Sequence, residues 1–270
     1  MINLDENIDA NTQKQLEELE KKSAERSSSK VIKLPEWPES KRGTPNSFLR
    51  SALFSVNDCK KDRVQLKDAV VASQEGITVL YTGEQLNQED LTLWETLVHM
   101  AKEHPLGYVC DFTAYEILKS IKYTNGGHDY ERLDKGIMRL VNCSVTIKQG
   151  HGRFIGHLIE SAIIDEKTHH YKIDLGRKLT QLYGESTWID AEQRLQLRRK
   201  SLAQFLHGYY SSHKTPYPVK VATLHQLSGS GIKELKRFKQ SLKAAFEELV
   251  KIDFLESYDI VDDLVTVKRK

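Results

Sequence analysis

Between Ser228 and Lys268 a cationic amphipathic helix runs directly into a β-hairpin, and few folds accommodate that succession. From Ile232 the apolar residues recur as Ile232, Leu235, Phe238, Leu242, Phe246 and Leu249, a spacing of three or four that predicts one buried helical stripe over 232–250. On the opposite face, Lys233, Lys236, Arg237, Lys239 and Lys243 stand against the single acid Glu234, a net charge of +4. A rod of that width and charge suits the major groove of DNA. Upstream, a short helix over 222–227 and the turn Ser228-Gly229-Ser230-Gly231 complete a helix-turn-helix. Downstream, strands over 254–267 bend at Val261-Asp262-Asp263. Helix, turn, helix and hairpin in that order predict a winged-helix unit.

The same order occurs earlier in the chain. A strand over 108–111 precedes a helix from Thr113 to Ile121, the turn Asn125-Gly126-Gly127, and a helix with Tyr130, Leu133, Ile137, Leu140 and Val141 on its inner face. Strands over 144–148, 153–164 and 170–175 follow, the first two joined by Gln149-Gly150-His151-Gly152. Ahead of these, helices are expected over 47–54 and from Asn87, with Leu91, Trp94, Leu97 and Val98 inward, and a strand over 77–81. A short helix over 177–183 and a long one over 190–213 lead into the second unit. The fold class expected is α+β, with two tandem winged-helix domains at 46–175 and 176–270. Residues 1–45, rich in Glu, Lys, Ser, Asn and Gln, read as a flexible polar arm with one helical stretch over 12–26.

Charge separates the two units. The 270 residues carry a net +2, yet after Gly176 there are 17 Lys+Arg against 11 Asp+Glu. That leaves about +6 on the carboxyl part and −4 on the rest, so an anionic partner is expected for the second unit. Within it, Lys233, Arg237 and Gln240 are expected near bases, Lys236, Lys239 and Lys243 at phosphates, and Lys268 and Arg269 as wing contacts. In the first unit Arg132, Lys135 and Arg139 alternate with Asp129, Glu131 and Asp134. This near-neutral helix predicts an auxiliary contact, joined by Lys148 and Arg153 of the hairpin, and a surface for dimerisation. If both units straddle one site, their reading helices should lie about 34 Å apart on one face of the duplex.

Other chemistries find little support. No apolar run approaches the roughly 18 residues that cross a bilayer, and the polar amino terminus is unlike a signal peptide, so a cytoplasmic location is expected. Cys59, Cys110 and Cys143 are too few and too dispersed for a disulfide framework or zinc knuckle. Gly229-Ser230-Gly231-Ile232-Lys233 lacks the spacing of a phosphate loop. His169 and His170 point to opposite faces of a strand, and Asp262-Asp263 and Asp165-Glu166 suit turns. Ser211-Ser212-His213 shows no third catalytic partner. No enzyme activity, cofactor or metal is expected. Arg194, Arg198 and Arg199 read as surface ion-pair formers on the long helix, and Trp37, Trp94 and Trp188 as core or interdomain anchors.

The chain also resembles the plasmid replication initiators of the TrfA family. The resemblance runs from about Leu34 to Lys270 and rests on Leu34-Pro35-Glu36-Trp37-Pro38, Arg42-Gly43-Thr44-Pro45-Asn46, Tyr81-Thr82-Gly83-Glu84-Gln85-Leu86, Leu158-Ile159-Glu160-Ser161, the run from Glu192 to Lys200, Tyr210-Ser211-Ser212-His213 and Phe254-Leu255-Glu256-Ser257-Tyr258. It implies a bacterial protein that binds direct repeats, called iterons, at a plasmid origin and opens the adjacent duplex. Host replicative helicase, host initiator protein and the polymerase sliding clamp are its implied partners, together with a regulatory homodimer whose monomer is the active binder. Gln15-Leu16-Glu17-Glu18-Leu19 loosely matches the Gln-Leu peptides that dock bacterial clamps. Residue chemistry alone leaves two alternatives, a transcriptional repressor of the same fold and a protein-interaction module.

Overall fold

The computed structural model describes residues 33–57, 63–106, 109–124, 126–165 and 167–270. The helical stretch over 12–26, the clamp-like peptide and Cys59 lie outside them. Two hydrophobic clusters organise the chain, one running from Leu34 to Ile189 and the other from Leu197 to Val265. The architecture is mixed helix and strand.

The polar arm ends earlier than its composition suggests. Leu34 and Trp37 are buried, and strand β1 (Lys41–Pro45) pairs antiparallel with β11 (Ser186–Asp190). Trp37 stacks on Tyr183 at 5.8 Å and donates its indole N–H to His99 Nδ1 at 3.0 Å. A Cβ on Gly43 would come within 2.6 Å of the Trp37 ring, so only glycine lets β1 cross there. Because Leu179, Leu182, Tyr183 and Ile189 belong to the first cluster, that core continues well past the expected boundary at 175. Trp188, in contrast, is 52% exposed on β11 and anchors no core.

The helix expected over 47–54 is a single turn, α1 (Asn46–Leu49), followed by β2 (Phe54–Ser55), which runs parallel to β5 (Leu86–Asn87). Strands β3 (Gln65–Val71) and β4 (Ile77–Glu84) open a four-stranded sheet. Helix α2 (Gln88–Ala101) starts as Asn87 predicts, in a reciprocal cap between the Asn87 side chain and Asp90. Its apolar face, with Leu91, Trp94, Leu97 and Val98, fills the first core.

Next come β6 (Val109–Thr113), α3 (Ala114–Ser120) and α4 (Gly127–Val141). Strands β7 (Ser144–Gln149) and β8 (Gly152–Gly156) form a hairpin that completes the sheet in the order β3-β4-β7-β8. The single strand expected over 153–164 is two. Leu158 and Ile159 are both fully buried, which strict strand alternation forbids, so the chain leaves one sheet at Gly156. It enters another as β9 (Ser161–Asp165), which pairs with β10 (His170–Asp174), itself paired with β6. A 3-10 helix (Arg177–Gly184) leads to β11.

The long helix expected over 190–213 is broken. Helix α5 (Ala191–Gln196) stops, Arg199 takes a left-handed φ of 65°, and α6 (Ser201–Ser211) restarts. The break lets one half face the first unit while Phe205, Leu206, Tyr209 and Tyr210 enter the second core. It also buries Arg194, read from sequence as a surface residue. Its side chain is 2% exposed, and its Nε lies 2.8 Å from Oε2 of Glu95, 1% exposed, on α2. Thr44 donates to the other oxygen of Glu95 at 2.7 Å, and Arg194 also donates to Thr92 Oγ1 and to the Gln88 carbonyl. Burial pushes the Glu95 carboxyl upward, and the Arg194 charge opposes that shift.

After β12 (Val219–Lys220), helix α7 (Val221–Leu227) and the turn from Ser228 lead to α8 (Leu235–Lys251), three residues shorter at its start than the periodicity suggests. Strands β13 (Leu255–Val261) and β14 (Leu264–Arg269) form the expected hairpin, with β12 joining as third strand. Cys110 and Cys143 are buried thiols, and burial pushes that of Cys143 up to about 11.

Two consequences for stability follow from the join between the units. Arg194→Met strands a buried carboxylate, and the expected loss is about 3–5 kcal/mol in a urea titration. Removing Glu95 as well, as Glu95→Leu with Arg194→Met, should recover much of it. His207, on α6, is driven down to about 3 by burial and then by the charge of Arg194. It is neutral in both folded and unfolded chains above about pH 6.5, and below that only the unfolded chain gains the proton. Stability should therefore fall by about 2 kcal/mol between pH 7 and pH 5 on this residue alone, and His207→Leu should flatten that part of the pH profile.

Candidate nucleic-acid interface

Helix α8 presents its charge outward as the sequence predicts. Phe238, Leu242, Ala245, Phe246 and Leu249 are buried, whereas Lys236, Arg237, Gln240 and Lys243 are exposed. The expected stripe fails at its start, where Ile232 is half-buried ahead of the helix and Leu235 is exposed. Lys233 is exposed too, but in the extended segment before the helix. Among the described residues no acid pairs with Lys233, Lys236, Arg237 or Lys243. Glu234, at the cap position, makes no side-chain cap, so the positive end of the helix dipole adds to the same field. At the far end the field reverses. Glu248 accepts from Lys200 and Lys251, whose ammonium groups hold its carboxyl below the usual carboxylate range.

The hairpin stands beside this helix. Val261 faces Leu264 across a two-residue loop in which Asp262 and Asp263 both have positive φ, 47° and 61°, the geometry a tight hairpin turn demands. Lys239 is half-buried and pairs with Asp263 at 2.7 Å, so it joins helix to hairpin. Lys268 faces solvent and pairs with Glu256 at 2.7 Å. Arg269 is half-buried and donates to the carbonyl of Tyr210 at 2.8 Å. It caps the carboxyl end of α6 and does not point outward as a wing contact.

In the first unit the helix equivalent in sequence order, α4, is used differently. Arg139 donates to Asp90 Oδ1 at 2.8 and 3.1 Å, and Arg132 donates to Glu89 at 2.8 Å and to the Tyr123 hydroxyl at 3.2 Å. Both guanidinium groups are thereby committed to holding α4 on α2. Lys135 is exposed, on the same outward line as Met138, which is 54% exposed. Lys148 and Arg153 are exposed and directly opposite one another in the β7–β8 hairpin. Like charges in that register are mutually unfavourable, and both are open to an anion.

Neither cavity along the α2–α5 seam resembles a ligand pocket. One is lined by Arg42, Glu95 and Arg194, the other by Tyr123, Arg198 and Gln204. Among the described residues there is no cluster of His, Cys, Asp and Glu suited to a metal, and no helix long and apolar enough to cross a membrane. Sequence periodicity missed the roles of Arg132, Arg139, Arg269 and Arg194, since it shows which face a residue is on and not which acid waits there. For Arg139 one signal was available. Asp90 follows an Asn cap, and a second carboxylate at a helix start attracts a cation.

Arg139→Ala should lower the urea midpoint by the equivalent of about 1–3 kcal/mol while leaving the folded protein's affinity for duplex DNA unchanged. Lys243→Ala should do the reverse, shifting stability by no more than about 0.5 kcal/mol while weakening the duplex complex.

Comparison with known proteins places this geometry in context. The family model described as TrfA protein matches residues 2–269. A relative from Escherichia coli, the plasmid replication initiator protein TrfA, is 27% identical over 240 residues, covering 86% of this chain and 63% of the relative. The chain thus spans 63% of that relative's length. Among solved structures, domains 2 and 3 of RctB superpose with a TM-score of 0.55 at 11% identity, over 84% of this chain and 98% of that one. The Pi initiator protein, in complex with iteron DNA, gives a TM-score of 0.50 at 14% identity, over 71% and 98%. These likenesses show a shared fold.

Proposed function

Since the chain belongs to the TrfA protein family, we propose that it is a plasmid replication initiator that binds direct DNA repeats through two winged-helix units. The observation that carries this reading is the row Lys233, Lys236, Arg237 and Lys243 at the start of α8, raised beside a hairpin and met by no acid among the described residues. Lys236 and Lys243 serve as phosphate contacts, with Lys233, Arg237 and Gln240 facing base edges. The first unit contributes register through Lys135, Lys148 and Arg153. Arg132, Arg139 and Arg269 act within the protein, and Lys239 and Lys268 reach DNA only by exchanging Asp263 and Glu256 for phosphate.

In this reading the protein works in the bacterial cytoplasm and is not an enzyme. Opening of the adjacent duplex draws on binding energy and DNA deformation. Host helicase, host initiator protein and sliding clamp then join the opened origin, and a homodimer of the first unit withholds the active monomer.

Fluorescence anisotropy with a duplex carrying one repeat, titrated with salt, tests the proposal. Contact with about 6 phosphates predicts a slope of log K against log salt near −5, and a flat response would remove DNA as the ligand. Arg237→Ala should lose ~1–3 kcal/mol on the repeat and less on a scrambled duplex. Equal losses would make Arg237 a phosphate contact. Permanganate reactivity beside a bound repeat array is the expected sign of strand opening.

A further inference from the structure

The turn that precedes α8 is held from outside its own unit. Val56 donates its backbone N–H to the Ser228 carbonyl at 2.9 Å, and the Asn57 side-chain oxygen accepts from the Gly231 N–H at 2.9 Å. Asn57 itself is braced by donating to Gln85 Oε1 at 3.3 Å. Gly229, with a φ of 61°, lies so close that a Cβ there would stand 3.0 Å from that of Ser55 and 3.1 Å from that of Ala52. The segment from Ala52 to Asn57 thus forms a seat, and the helix-turn-helix turn of the second unit rests in it.

What the seat controls is the entry into α8. That helix begins without a side-chain cap, and the four residues before it belong to neither helix nor strand. Three contacts made by side chains outside those four residues fix them: from their own unit His225 Nε2 against the Ile232 carbonyl at 2.6 Å and the Ser230 hydroxyl accepting from the Ile232 N–H at 3.3 Å, and from the other unit Asn57 against Gly231. Lys233 lies two residues beyond Gly231, and Lys236 and Arg237 occupy the first helical turn. A base-reading side chain must be held to a fraction of an ångström to discriminate, whereas a phosphate contact tolerates a looser pose.

We infer that Asn57 is a positioning residue for sequence reading: by holding Gly231 it fixes the pose of Lys233 and the first turn of α8, and it touches no DNA itself. The inference rests on the DNA-binding reading above. It assigns part of the second unit's specificity to the first unit, through a residue 174 positions away in sequence.

The test measures, across a salt titration, the affinity of the full-length protein and its variants for a labelled duplex carrying one repeat and for a scrambled duplex of equal length, and the melting temperature of each variant. Asn57→Ala removes the acceptor. It should reduce the preference for the repeat about five- to tenfold while leaving the scrambled-duplex affinity, the salt slope and the melting temperature as in the wild type. Asn57→Asp keeps an acceptor for Gly231. Its added charge weakens both duplexes alike, and the preference between them should return toward wild type. A wild-type preference in Asn57→Ala, or equal losses on both duplexes, overturns the inference with DNA binding intact. A wild-type protein that ignores the repeat removes the DNA reading and this inference with it.

Discussion

Everything in the arrangement of the two units depends on one buried ion pair. Arg194 and Glu95 meet at 2.8 Å with both side chains almost wholly removed from water, and neither charge is tolerable there without the other. Glu95 is held by α2 of the first unit, while Arg194 comes from the short helix that leads into the second. Hydrogen bonds from Thr44 to Glu95 and from Arg194 to Thr92 and Gln88 add fixed donors and acceptors around the pair. An apolar contact of similar area allows sliding, whereas a desolvated salt link with fixed donors admits one pose. The pair therefore acts as a register pin, and the Ala52–Asn57 seat and the Arg50 contact with Ser212 lie along the same boundary.

Two helices of similar sequence pattern differ in what surrounds them. Helices α4 and α8 share an apolar stripe opposite a charged face. In α4 the acids Glu89 and Asp90 of α2 stand within reach, and the arginines turn inward to them. Around the start of α8 Lys239 is paired with Asp263, while Lys233, Lys236, Arg237 and Lys243 meet no acid among the described residues and remain open. The division between a helix whose arginines are held and one whose cations stay open is thus set by the neighbours of each and not by its own periodicity.

This is also where the sequence ceased to be legible. The order of elements from β6 to β8 and from α7 to β14, the α8 stripe from Phe238 onward, the hairpin bend at Asp262-Asp263 and the Asn87 cap were readable, because each follows from local periodicity or turn chemistry. Long-range pairing was not. Strand β1 looked like polar linker because its partners on β11 lie 141 to 149 residues on, from Pro45 opposite Ser186 to Lys41 opposite Asp190. The helix break at Leu197–Lys200 has no proline or glycine to announce it, and arises because Arg194 and Phe205 must enter different cores. Local spacing marked Arg269 as a wing residue, while its carbonyl partner on α6 is visible only in three dimensions. Asn57 carries no local signal at all, being one polar residue at the end of a short strand.

The hairpin beside α8 has a further implication. Its tip bears Asp262 and Asp263, the latter held by Lys239, and its strands set Glu256 against Lys268, so its carboxylates are partly matched and lie to one side of the open cations of α8. Under the proposed DNA reading the tip wards off a duplex where the helix attracts one, and the molecule has a front and a back. Successive copies along an array of head-to-tail repeats would all face one way, giving a symmetrical double helix a direction.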